Sequence, residues 1–304
     1  MSSPSHKKEE PSLKNVALIE REFLTLGVSL EVLMNLPIDP DDDFQIVCEE
    51  IKKRTKETKG NRSLASHLLQ DPETEHLVGK ADYFVSYAWK GKFGATMNAL
   101  TKHFEGKPTP FVWMDIAMVD QHTAATVDLD FEDWSKTFKD SLQQIGKALL
   151  VLTPGQKPIA ITRSWCCFEW VCIKQTQIPF EYCVNPKDVE LLLNKMEFGM
   201  GFAGFNNLFA GINVEKATAW KQNDQDAILE LMRKIGVKEV NDVIMFSLKD
   251  WLISVASEGE KHAKKGTKEG THLLNAKAAL HQALVCLCSF EFPILTPRMR
   301  KGRI

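Results

Sequence analysis

Glu169 sits in the run Trp165-Cys166-Cys167-Phe168-Glu169-Trp170, a carboxylate among aromatic and thiol side chains. Such a group either points to solvent or works where developing positive charge has to be stabilised. Trp165 and Trp89 offer flat faces on which a planar ring can stack, and they are equally suited to packing. Asp115 follows the apolar run Phe111–Met114 and can hold a substrate or cap a loop. Ser86, near the end of another such run, can contact a ligand or make a turn. Ser164 can cap the helix it precedes, whose free backbone N–H groups suit a phosphate. His122, in a loop, is either a general base or an exposed side chain. Cys166 and Cys167 have no histidine beside them in sequence and read as small buried apolar residues, not nucleophiles.

The elements that must position these residues begin at Ala81. Tyr83–Tyr87 has the aromatic and β-branched content of a short strand, and residues 93–104 read as a helix. Phe111–Met114 is a second strand, followed by a loop over residues 116–129. In Phe131, Trp134, Phe138, Leu142 and Ile145 the apolar spacing is that of one helix face. Residues 147–152 form an unbroken apolar run typical of a central parallel strand, and Thr153-Pro154-Gly155 stops it. A helix over residues 165–175 and a strand over residues 178–184 complete the series. Strands alternating with helices predict a parallel sheet covered on both faces, with ligands beyond the carboxyl ends of the strands.

Outside this region the chain reads as helical. Residues 1–12 have nothing to bury and are expected to be disordered. Residues 13–79 read as a helical N-terminal extension, with Asp43 capping a helix through Ile46, Val47 and Ile51 and a short helix at Leu64–Leu69. Residues 186–256 read as a helical extension: a helix to Met196, a Gly/Phe-rich turn over 198–211, then helices over 214–221, 224–235 and 240–256. Residues 257–304 read as a linker (257–270), a terminal helix (273–290) and a basic tail.

Composition bounds the function. With 304 residues, 44% apolar content and a net charge of −2, the chain suits a globular protein, and the balance gives no general basis for nucleic-acid binding. No stretch approaches the roughly 20 apolar residues of a membrane span. Seven cysteines, an odd number mostly within apolar runs, point to buried thiols in a reducing, cytoplasmic setting. They lack the paired spacing of a zinc site, so no metal is expected.

Three segments, in order, resemble the TIR and TIR-like family. Asp82-Tyr83-Phe84-Val85-Ser86-Tyr87-Ala88-Trp89 is similar to its opening strand, and Val112-Trp113-Met114-Asp115 to its second strand with a terminal Asp. Leu149–Pro154 followed by Arg163-Ser164-Trp165-Cys166-Cys167-Phe168-Glu169 is similar to its strand, loop and Ser-x-Trp-Cys-x-x-Glu helix. The resemblance covers residues 80–185. The stretch Asp130–Phe138 with Ile145-Gly146 looks closest to a protist and algal TIR-like subgroup that often precedes tetratricopeptide repeats. Gln121-His122 departs from the family's usual Gly/Pro-rich loop. The resemblance implies a flavodoxin-like α/β fold with helical extensions at both ends. It implies NAD⁺ as substrate rather than cofactor, with Glu169 catalytic and Ser86, Trp89, Asp115 and Trp165 lining the pocket. It also implies a homo-oligomer, with protein partners reached through the helical C-terminal part.

Two functions follow. One is an NAD⁺ glycohydrolase or cyclase that breaks the nicotinamide–ribose bond in signalling or defence. The other is a non-catalytic signalling scaffold, since fold alone does not carry activity.

Overall fold

A computed structural model of the protein describes residues 25–124, 131–155, 157–195 and 212–263. These fall into two compact units, one of residues 25–189 and 212–245, the other of residues 190–195 and 246–263. The candidate site lies wholly in the first.

Its six strands are β1 (Leu26–Ser29), β2 (Val78–Lys80), β3 (Tyr83–Ser86), β4 (Phe111–Trp113), β5 (Ala148–Val151) and β6 (Phe180–Cys183). They form one sheet in the order β2-β1-β4-β3-β5-β6. Ten helices are described: α1 (Leu30–Met34), α2 (Phe44–Thr55), α3 (Leu64–Leu69), α4 (Phe93–His103), α5 (Asp115–Met118), α6 (Phe131–Ile145), α7 (Ser164–Thr176), α8 (Pro186–Lys195), α9 (Gln222–Ile235) and α10 (Val237–Ala263). The protein is therefore a mixed α/β protein with a mostly parallel sheet.

The parallel strands run in the order β4-β3-β5-β6, the second-first-third-fourth arrangement of a flavodoxin-like sheet. The chain moves from β3 outward to β4, then returns to the other side of β3 to lay down β5. In sheets with that reversal ligands bind in the crevice past the carboxyl ends of the two strands, here β3 and β5, at Ser86 and Val151. β5 is buried along its whole length, as its unbroken apolar run requires.

Alternation along β3 sorts the core. Phe84 faces α6 and α7: its ring lies 5.3 Å from that of Phe138, which lies 5.8 Å from Phe168. Tyr87, on the opposite face, packs 4.5 Å from Phe44 of α2, which meets Phe93 of α4 at 5.8 Å. Ser86 shares the face of Phe84, so its hydroxyl points toward α7.

Residues 13–79 are not simply a helical extension. Residues 26–29 and 78–80 are strands that extend the sheet antiparallel from β4, through Val28↔Val112 and Leu26↔Lys80. Apolar spacing over a four-residue segment cannot separate strand from helix, and Gly27 settles it: a Cβ there would lie 2.8 Å from the Val112 carbonyl carbon. The helix expected over residues 214–221 is only a 3-10 turn, Val214–Lys216, because Thr218 leaves it to bridge with Arg163. Residues 257–263, expected as linker, continue α10. Ser164 does not cap α7: Arg163 holds the cap position, and the Ser164 hydroxyl is buried without a partner. Asp43 does cap α2, accepting from the backbone N–H of Gln45 at 3.0 Å. The expected segments 1–12, 198–211 and 273–290 and the basic tail lie outside the described residues.

The N-terminal segment grips the loop after β3. The Phe44 N–H donates to the Trp89 carbonyl, and the Phe93 N–H to that of Asp42. Gly94 meets Pro40 so closely that a Cβ would lie 2.5 Å from the proline Cβ. In an isolated helix Gly94→Ala would gain about 1 kcal/mol. Here we expect the opposite sign, a loss of roughly 1–3 kcal/mol from overpacking, read as a lower urea midpoint at unchanged m-value.

Candidate active site

β3 ends at Ser86, which is 1% exposed and whose hydroxyl donates to Glu169 Oε2 at 2.6 Å. Glu169 lies on the second turn of α7 and remains partly exposed, so the pair sits at the mouth of the crevice between β3 and β5. Burial raises the Glu169 carboxyl to about 8; the Ser86 hydrogen bond opposes the rise and the charge of Asp115 adds to it. Glu169 is therefore largely protonated at neutral pH. In the protonated state its remaining oxygen can accept or donate a hydrogen bond.

Asp115 opens α5 and is almost fully engaged. Its Oδ1 accepts from the Tyr87 hydroxyl at 2.6 Å and from the Ile116 N–H at 2.8 Å, and its Oδ2 accepts from the Trp89 indole N–H at 3.0 Å. Burial raises the Asp115 carboxyl, with the Tyr87, Trp89 and Ile116 hydrogen bonds opposing it. The Tyr87 phenol is pushed well above its usual range, first by burial and then by Asp115. Asp115 thus ties β3's exit to the start of α5, and Trp89 is held by its edge.

The loop after α5 is pinned from the N-terminal helices. Gln121 donates to the Asp115 carbonyl at 2.8 Å and accepts from Cys48 of α2 at 3.7 Å. His122 Nε2 lies 2.9 Å from the Thr55 hydroxyl, so this histidine is held against α2. Trp165 is half-buried, edge-on to Phe168 at 6.1 Å. It lies one helical turn before Glu169, on the same face of α7.

The structure thus joins Ser86 directly to Glu169 and Trp89 directly to Asp115, and sets Trp165 beside Glu169. Tyr87 and Gln121 escaped the sequence reading. Asp115 lies 28 residues from Tyr87 and 6 from Gln121, and neither spacing signals the contact. The thiols are inert: Cys166 donates to the Tyr87 carbonyl at 3.3 Å and is pushed well above its usual range by burial, while burial carries Cys167 to about 12. Among the described residues no group of three His, Cys, Asp or Glu side chains could hold a metal ion. No described helix is long and apolar enough to cross a membrane. A groove of about 520 Å³ lies at the other end of the sheet, by Lys80, Tyr83, Lys107 and Lys147, and none of Ser86, Trp89, Asp115, Trp165 and Glu169 lines it. No family model, curated protein or solved structure matches the chain.

The Glu169 shift has a stability consequence. Between about 4.5 (unfolded) and about 8 (folded) the folded protein holds a proton that the unfolded chain releases, so stability falls as pH rises through that window. Glu169→Gln removes the burdened charge. The variant should match the parent below pH 4.5 and exceed it by a few kcal/mol (on the order of 2–4) above pH 8. Thermal unfolding at both pH extremes checks this; an equal shift at both would show that burial does not hold the proton.

Proposed function

We propose that the protein is a TIR-like NAD⁺ nucleosidase acting at the Ser86–Glu169 pair, in signalling or defence. The observation that carries this reading is that pair's place: a half-buried carboxyl at the strand-order reversal, joined to the end of β3 by a 2.6 Å hydrogen bond. The nicotinamide–ribose bond breaks with its electron pair leaving on the ring nitrogen, which turns the cationic ring into neutral nicotinamide. No general acid is needed. The positive charge passes to the ribosyl carbon, and an ionised Glu169 beside it stabilises that charge and orients the ribose hydroxyls. Water then adds to the ribosyl carbon and releases a proton, or an internal nucleophile of the substrate closes a ring. The neutral resting state of Glu169 fits this sequence, because a bound cationic ring favours its ionised form. Trp165, on the same helix face, supplies a stacking surface.

A second reading rests on the Tyr87–Asp115–Trp89 lock. Three of the six side chains described at this site, Tyr87, Trp89 and Asp115, satisfy one another, as they would in a scaffold that self-associates without chemistry.

Nicotinamide release from NAD⁺, followed by chromatography over a range of protein concentrations, separates the two. Wild type should release nicotinamide with kcat/KM rising through about pH 8, the ionisation of free Glu169. The kcat limb should lie at lower pH, since the substrate's charge favours ionised Glu169. Glu169→Gln and Glu169→Ala should lose at least about 100-fold above pH 8, with a smaller deficit as pH falls and Glu169 takes up its proton. Release unchanged in Glu169→Gln, or none at any concentration, would sink the enzymatic reading.

A further inference from the structure

Trp220 is 82% exposed, the most open large apolar side chain among those described. It lies on the strap of residues 217–221, which leaves the 3-10 turn and crosses the carboxyl end of the sheet. The strap is fastened on both sides. Toward α7, the Thr218 N–H donates to the Thr162 carbonyl at 3.0 Å, the Ser164 N–H donates to the Thr218 carbonyl at 3.1 Å, and Arg163 Nη1 donates to the Thr218 hydroxyl at 2.8 Å. Toward the loop after α5, Lys221 Nζ donates to the Ala124 carbonyl at 2.5 Å. The strap therefore spans the two loops that follow β4 and β5, with Trp220 between its fastenings. Trp165 follows Ser164 by one residue and Trp220 follows Thr218 by two, so each indole is close in the chain to the bond that joins strap to helix.

Arg163 and Lys221 are half-buried cations, and neither has a carboxylate partner among the described residues. Arg163 spends one of its five donors on Thr218. Two cations on the strap and at its fastening, with an exposed indole on the same strap, suit a planar base linked to a pyrophosphate. Arg163 stands at the start of the helix that carries Glu169, and Lys221 is bonded to the loop that follows β4 and α5. Exposed indole costs the folded chain hydration free energy, and a stacked base would recover it.

We propose that Trp220, Arg163 and Lys221 form the subsite for the adenosine diphosphate half of the dinucleotide, Trp220 stacking the adenine and the two cations taking the pyrophosphate. This rests on the NAD⁺ reading above and adds a residue set from outside the sheet. The nicotinamide half then lies by Glu169 and Trp165.

The test is calorimetric titration of the full chain carrying Glu169→Gln, with ADP, adenosine and nicotinamide mononucleotide as probes. Adding Trp220→Ala should weaken ADP and adenosine about tenfold and leave nicotinamide mononucleotide unchanged. Trp220→Phe should restore most of the loss. Lys221→Gln should weaken ADP, leave adenosine, and flatten the salt dependence of ADP binding. Equal ADP affinity with and without Trp220→Ala overturns the subsite, as does no ADP binding at all or a parallel loss of nicotinamide mononucleotide. Nicotinamide release by the otherwise wild-type chain, measured beside it, keeps the two ideas apart. Glu169-dependent release with KM untouched by Trp220→Ala removes the subsite and leaves the enzyme. ADP held through Trp220 with no release at any pH leaves a nucleotide site and removes the cleavage.

Discussion

A strand shows its side chains alternately to either face, and β3 uses that constraint to organise the molecule. Phe84 and Ser86 face α6 and α7; Tyr87 faces α2 and α4. Packing Phe84 against Phe138 fixes the register of the strand. Once it is fixed, Ser86 has only α7 to meet, and the residue waiting there is Glu169. A slip of one residue would bury Ser86 against Phe44 and aim Tyr87 at the carboxyl. The site is thus a by-product of how the core closes.

Two carboxyl groups near one strand end would repel if both were freely ionised. The fold treats them differently. Asp115 is given three donors and supports structure; Glu169 is given one and is left able to change charge. Burial raises both carboxyls, and they differ in how many donors hold them. The three hydrogen bonds to Asp115 also keep the rim of the crevice in place whatever the state of Glu169.

Much of the sheet could be read from the chain. The unbroken run at Ala148–Val151, the helical face through Phe138, Leu142 and Ile145, and the Asp43 cap each announce themselves locally. The antiparallel pair did not, because β1 and β2 are four and three residues long and each contains a glycine that suits close backbone approach more than a periodic pattern. The engagement of Asp115 was hidden for a different reason. Its donors Tyr87 and Trp89 lie 28 and 26 residues upstream, and only the folded sheet brings them together. The strap was hidden because Val214–Lys221 has the composition of a helix, while the backbone of residues 162–164 offers Thr218 a competing set of partners.

β1 and β2 do more than lengthen the sheet. They occupy the flank that β4 would otherwise leave open, and they finish it with a three-residue strand ending in Lys80, a poor template for another chain. The sheet keeps one strand of ordinary length at a border, β6, with Phe180 and Tyr182 half-buried and Glu181 facing out. Among the described residues the sheet therefore has two unlike borders: the four-residue strand Phe180–Cys183 on one side and the short strand ending in Lys80 on the other.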